Sequence, residues 1–123
     1  MEDAHLLKIL SELLPGEKIC FRAREGMTVV NSSSWSGTFF RYWNDESRKE
    51  TLQVITNMVD RLCSKKEMTE FEEEILPSVR VGIQNLISTY AYDHPSCLIL
   101  QEADFRLHQM LIRKKPTLLI SSE

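Results

Sequence analysis

The sequence carries few of the signatures that announce a chemistry. Its four glycines, Gly16, Gly26, Gly37 and Gly82, stand alone, so no phosphate loop or dinucleotide fingerprint can be built on them. No G-x-S-x-G nucleophile elbow is present. Cys20, Cys63 and Cys97 are an odd number, 43 and 34 residues apart, with no C-x-x-C, which suits neither a disulfide framework nor a zinc knuckle. The longest wholly apolar run, Cys97 to Leu100, is four residues, far short of a membrane span. An excess of one charge is also missing: 15 Lys+Arg stand against 18 Asp+Glu, a formal net charge of −3. Residues 1–66 carry ten positive and nine negative charges and residues 67–123 five and nine, or +1 against −4. That asymmetry is too small for a protein that tracks phosphates. The opening Met1-Glu2-Asp3 is acidic where a secretory leader would be basic. Together with unpatterned thiols, it leads us to expect an intracellular protein, cytoplasmic or nuclear. Asn31-Ser32-Ser33 matches a glycosylation acceptor, a match without meaning unless the chain is secreted.

What is present is apolar content and one dense aromatic segment. With 123 residues, 42% of them hydrophobic, the chain can bury a modest core as one domain without disulfides or metal. Trp35, Phe39, Phe40, Tyr42 and Trp43 place five of its ten aromatics within nine residues. If 36–43 is helical, Phe39, Tyr42 and Trp43 share a face while Trp35 and Phe40 project elsewhere. One face cannot bury all five: they either fill the gap between hairpin and helices as core, or leave some rings exposed as anchors.

The pattern along the chain predicts mainly helices. Residues 3–14 read as a short amphipathic helix with Asp3 as N-cap and Leu6, Ile9, Leu10, Leu13 and Leu14 at helical spacing, stopped by Pro15-Gly16. Ile19, Phe21 and Ala23 alternate with Cys20, Arg22 and Arg24, and Met27-Thr28-Val29-Val30 follows Glu25-Gly26, which predicts a β-hairpin. A lone hairpin is marginal in water, so its Ile19 and Phe21 side must lie on helices or its edge must pair elsewhere. A serine-rich linker over 31–37 leads to the aromatics. Ser47-x-x-Glu50 and Thr69-x-x-Glu72 are capping-box patterns that open two further helices, the first beginning at Asp45 or Ser47. Pro77 predicts a kink or a break in the second, with 68–75 and 77–91 as separate pieces. Pro95 suits the first position of a last helix reaching about Lys114. Leu100, Ala103, Leu107, Met110 and Leu111 form its main stripe. Leu98, Phe105 and Ile112 recur every seven residues on a neighbouring face, so this helix is either central or meets a partner. Gly82, inside a helix, marks the close approach of a neighbouring element.

Each candidate chemistry has a plainer counterpart. Cys97 near a helix N-terminus, three residues after His94 and with Asp93 to orient the ring, has the elements of a thiolate nucleophile. The plainer reading buries Cys97 as a small hydrophobe and lets Asp93 or His94 cap the helix. Asp104 and His108, four apart, are the one pair with metal-ligand spacing on a helix face; two residues are not a site, and they read as an exposed Asp-His pair. Glu72-Glu73-Glu74 reads as a solvated first turn. Arg22, Arg24 and Arg41 beside aromatics would suit a single-strand nucleic-acid binder, a weaker reading. A membrane-surface helix at the aromatic segment would lack its lysine-rich face.

The expected fold is therefore α+β and predominantly helical: a short N-terminal helix, a β-hairpin, then an irregular bundle of three or four helices. Residues 1–116 form one domain, and 117–123 are a tail, a short strand or disordered. The expected function is a non-enzymatic protein-interaction module, with Trp35, Phe40, Arg41 and Trp43 as anchors, helped by the hairpin edge. Its partner would be another protein or a second copy, without cofactor or metal. The alternative is a small cysteine-dependent enzyme or redox-sensitive protein centred on Cys97 and His94.

Overall fold

The computed structural model describes residues 2–22, 24–31, 43–90 and 94–114. The order is helix α1 (Asp3–Ser11), strands β1 (Lys18–Arg22) and β2 (Gly26–Val30), then helices α2 (Asp45–Ser64), α3 (Glu70–Ile87) and α4 (Pro95–Lys114). This is the predominantly helical α+β arrangement expected from the sequence. The proposed linker, most of the aromatic segment and the tail from 117 onward lie outside the described residues.

One continuous core joins the helices. Leu6, Leu7 and Leu10 of α1, Ile55, Met58 and Leu62 of α2, Val79 and Ile83 of α3, and Leu100 and Leu107 of α4 are all closed to solvent. α4 packs on both α2 and α3, α1 packs on the other side of α3, and β1 lies on α2.

The α1–α3 contact depends on Gly82. A Cβ at that position would sit 1.7 Å from the Leu10 carbonyl oxygen and 2.7 Å from its carbon, so the two backbones meet with no room for a side chain. Asn85 holds the chain leaving α1, its side-chain amide donating to the Leu13 carbonyl at 2.9 Å. α1 is shorter than expected, and Asp3 does not cap it. Glu2 holds the cap position without a side-chain bond, because the Asp3 carboxylate accepts from Arg61 instead, from Nη2 at 2.6 Å and from Nε at 3.0 and 3.2 Å. Those bonds hold its pKa below the ordinary carboxylate value.

The hairpin pairs Lys18 with Val30 through Arg22 with Gly26. Gly26 has φ of +77°, a left-handed conformation that closes the three-residue loop and that other residues adopt only with strain. Ile19 is buried as expected, but so is Cys20 on the opposite face, so β1 is covered on both sides at this point. Phe21 donates its N–H to Thr51 Oγ1 of α2 at 2.7 Å, and Thr51 donates in turn to the Ser47 carbonyl at 2.8 Å. The marginal hairpin is thus tied by its edge to a helix. Because ladder bonds alternate, Met27 and Val29, opposite Phe21 and Ile19, turn their backbone groups to the outer edge of β2. No described strand pairs there.

α2 begins at Asp45, one of the two starts expected, but its capping box is not Ser47 with Glu50. Asn44 is its cap, accepting from the Ser47 N–H at 3.0 Å, and Ser47 Oγ accepts from the Asn44 N–H at 3.0 Å. The box is closed three residues earlier because asparagine serves as a cap as well as serine does. In α3 the box is the expected one, Thr69 with Glu72. Glu72 is not part of a solvated face, as the sequence suggested: it is buried and bonded to the Thr69 N–H at 2.9 Å and to Lys65 Nζ at 2.8 Å. Burial alone would raise its pKa, but the bonds from Lys65 and Thr69 outweigh it and hold the carboxylate below its usual range. α3 also runs unbroken through Pro77. The lost backbone bond costs about 3 kcal/mol, and full burial of Val79, Ile83 and Leu86 beyond it returns about 1.5–3 kcal/mol each.

The α1–α3 contact yields a direct test. Gly82→Ala should lower unfolding stability by about 3 kcal/mol, since backbone must move to admit the methyl, whereas Ser78→Ala on the exposed side of α3 should change it by less than about 0.5 kcal/mol. Urea unfolding monitored by circular dichroism measures both. An unchanged midpoint for Gly82→Ala would mean that α1 is not seated there.

Candidate functional site

Of the four expected anchors, Trp35, Phe40 and Arg41 lie outside the described residues. Trp43 lies just before α2 and is half-buried. Its indole is the hub of a cluster between hairpin and helices. Lys18 Nζ of β1 stands 3.8 Å from the ring centroid and the Arg48 guanidinium of α2 5.0 Å from it, both within cation–π range. Tyr90, just past α3, tilts against Trp43 at 6.3 Å between centroids, and His94 stands 5.2 Å from Tyr90. Burial lowers the pKa of Lys18, and the nearby Arg48 charge lowers it further. Burial likewise pushes the Tyr90 phenol up to about 12. Trp43 therefore works partly as structure, joining hairpin, α2 and the α3–α4 connection. Lys18 and Tyr90 are distant from it in sequence, and no local pattern links them.

The Cys97 and His94 pair is differently engaged. His94 Nδ1 accepts the Ser96 N–H at 3.0 Å, so the imidazole caps α4. An N–H can only donate, so in the neutral ring the proton lies on Nε2 and no lone pair remains to deprotonate a thiol. Cys97 is buried, with Sγ 3.8 Å from the Ile87 carbonyl oxygen.

Asp104 and His108 are brought together, but not as the exposed pair expected. Asp104 is 7% exposed. It accepts from Arg80 Nε at 3.0 Å and from Gln84 Nε2 at 2.9 Å, while Arg80 Nη1 donates to His108 Nδ1 at 3.0 Å. Arg80 and Gln84, from α3, occupy the positions where a metal would need to be. No group of three or more His, Cys, Asp or Glu with metal-binding placement exists among the described residues. On the other flank of α4, Arg106 pairs with Asp60 of α2 at 2.6 Å.

Between those two polar ties runs an exposed apolar stripe of α4: Leu98 is 71% exposed, Phe105 56% and Ile112 37%, with Ile99, 41% exposed, standing off its line. The seven-residue spacing visible in the sequence is therefore a solvent-facing stripe and not a second core seam. A cavity of about 420 Å³ also opens beside the hairpin loop, but it carries Arg22 and Arg24 together with Glu25, Glu46 and Glu50 and so favours neither anion nor cation. Arg22 is paired with Glu25 at 2.7 Å, which takes charge from the patch that a nucleic acid would need. Among the described residues, no helix is long and apolar enough to cross a membrane.

No protein family, curated protein or solved structure matches the chain.

The buried phenol gives a pH prediction. Tyr90 bears its proton more tightly when folded than in the unfolded chain, so its contribution to stability is complete below about pH 10 and is lost as pH rises toward 12. Ultraviolet titration should show one phenol ionising near 12, and Tyr90→Phe should remove that step. Ionisation of every tyrosine near 10 would contradict the burial.

Proposed function

We propose that the chain is a non-enzymatic protein-interaction module that binds a protein, or a second copy of itself, through apolar surface its own core does not use. The observation that carries this reading is the stripe of Leu98, Phe105 and Ile112, exposed along one side of a helix whose opposite side is fully packed. Clustered, exposed large apolar side chains at regular helical spacing are the anchors by which one helix recognises another. The stripe's immediate flanks, Gln101, Glu102, His108 and Gln109, hold one formal charge, in keeping with the sparse charge of interface centres. The outer edge of β2 offers a second, smaller contact by strand addition. Trp43 adds a half-buried ring, and Trp35, Phe40 and Arg41 belong to the same reading from the sequence alone. A cytoplasmic or nuclear setting goes with it, since all three cysteines are thiols.

The test is photo-cross-linking in cells from a reactive residue at Gln101, beside the stripe, compared with one at Lys8 on the exposed side of α1. Position 101 should give discrete adducts that Phe105→Glu removes, while that substitution shifts stability by no more than about 0.5 kcal/mol. Adducts no different from those at Lys8, or unaffected by Phe105→Glu, would overturn the reading.

A further inference from the structure

We propose that the occupant of the α4 stripe is the α4 stripe of a second copy of this chain, packed antiparallel about a two-fold axis at Phe105; the inference rests on the interaction-module reading above. Phe105 is seven residues from both Leu98 and Ile112. A two-fold axis perpendicular to α4 at that point stacks Phe105 on its own equivalent and sets Leu98 against Ile112 of the second copy. The stripe is therefore complementary to itself in reverse.

The polar flanks follow the same symmetry. In an antiparallel two-fold pair, each flank of a helix meets the same flank of the other copy. One flank carries Gln101 and His108, the other Glu102 and Gln109. The axis brings Gln101 to within one residue's rise, about 1.5 Å, of the height of His108 in the second copy, and Glu102 equally close to Gln109. Both pairings match in hydrogen-bond chemistry. Because Arg80 donates to His108 Nδ1, the neutral ring keeps Nε2–H as an outward donor for the Gln101 carbonyl, and the Gln109 amide can donate to the Glu102 carboxylate. No like charges meet. Arg106, beyond the stripe, is already paired with Asp60 of its own chain. Antiparallel helices also oppose their dipoles favourably.

The size of the contact sets its strength. From Leu98 to Ile112 the helix advances about 21 Å, and three apolar side chains per copy with their flanks make a contact at the small end of specific interfaces. A reversible dimer in the micromolar range is the expected result.

Sedimentation equilibrium on the full chain, from low micromolar to millimolar concentration, tests this. The mass should rise from 14.3 kDa toward twice that value. Phe105→Glu should raise the dissociation constant ~30-fold or more, with the circular dichroism spectrum and unfolding midpoint unchanged. Orientation is read by oxidation: Leu98→Cys paired with Ile112→Cys should link two copies, and Leu98→Cys alone should not, since antiparallel packing keeps the two 98 positions far apart. A monomer at every concentration, a dimer indifferent to Phe105→Glu, or self-linking by Leu98→Cys alone would each overturn the inference. A monomer that still forms adducts from position 101 in cells would leave the module reading intact and assign the stripe to a different protein.

Discussion

The buried side of α4, running from Cys97 and Leu100 through Ala103 and Leu107 to Met110, is the surface on which α2 and α3 both rest. Each of those helices has one apolar stripe and must bury it somewhere. α4 offers a side broad enough for both. The outer elements then attach by narrower means. α1 reaches α3 only because Gly82 lets the Leu10 carbonyl come into backbone contact, and the hairpin is tied to α2 where Thr51 takes the Phe21 N–H. Removing the central seam would leave these smaller attachments without a platform.

The same helix is apolar where nothing of the described chain covers it. Asp104 with Arg80 and Gln84 closes the α3 side of α4, and Arg106 with Asp60 closes the α2 side. Leu98, Phe105 and Ile112 stand outside both closures. They are separated from the core by polar groups that are themselves satisfied. Exposed single hydrophobes are ordinary; it is the shared register of these three that the proposed association would use.

Where sequence reasoning succeeded, the signal was local. Helix periodicity placed α2 and α4, the Thr69 and Glu72 box placed the start of α3, and Gly82 in mid-helix announced a close approach. The departures came from interactions between distant residues. Asp3 gave up its capping role to Arg61, Glu72 was drawn into burial by Lys65, and Asp104 was enclosed by an arginine and a glutamine from another helix. Nothing near any of these residues in sequence names its partner. Pro77 illustrates a contest of magnitudes, a local penalty outweighed by burial further along the helix. α2 begins at Asp45, one of the two starts open in the sequence, but its box is Asn44 with Ser47 and not Ser47 with Glu50, because either residue can serve as a cap. The site was legible in part: the seven-residue recurrence on α4 was visible, but whether it faced inward could only be decided once α2 and α3 had occupied the other side. Filling the gap between hairpin and helices was one of the two uses open to the aromatics, and half-buried Trp43 serves it; the cation against its ring comes from β1, which no local pattern names.

Whether α4 folds the chain with one side and leaves the other for association is tested most directly by the unfolding free energy of a triple variant, Leu98→Gln, Phe105→Gln and Ile112→Gln, followed by tryptophan fluorescence at protein concentrations far below the expected dissociation constant, so that association does not contribute. Stability should stay within about 1 kcal/mol of the parent, as expected of exposed positions. A loss of several kcal/mol, approaching that for a buried position such as Leu107→Ala, would show instead that the stripe belongs to the core.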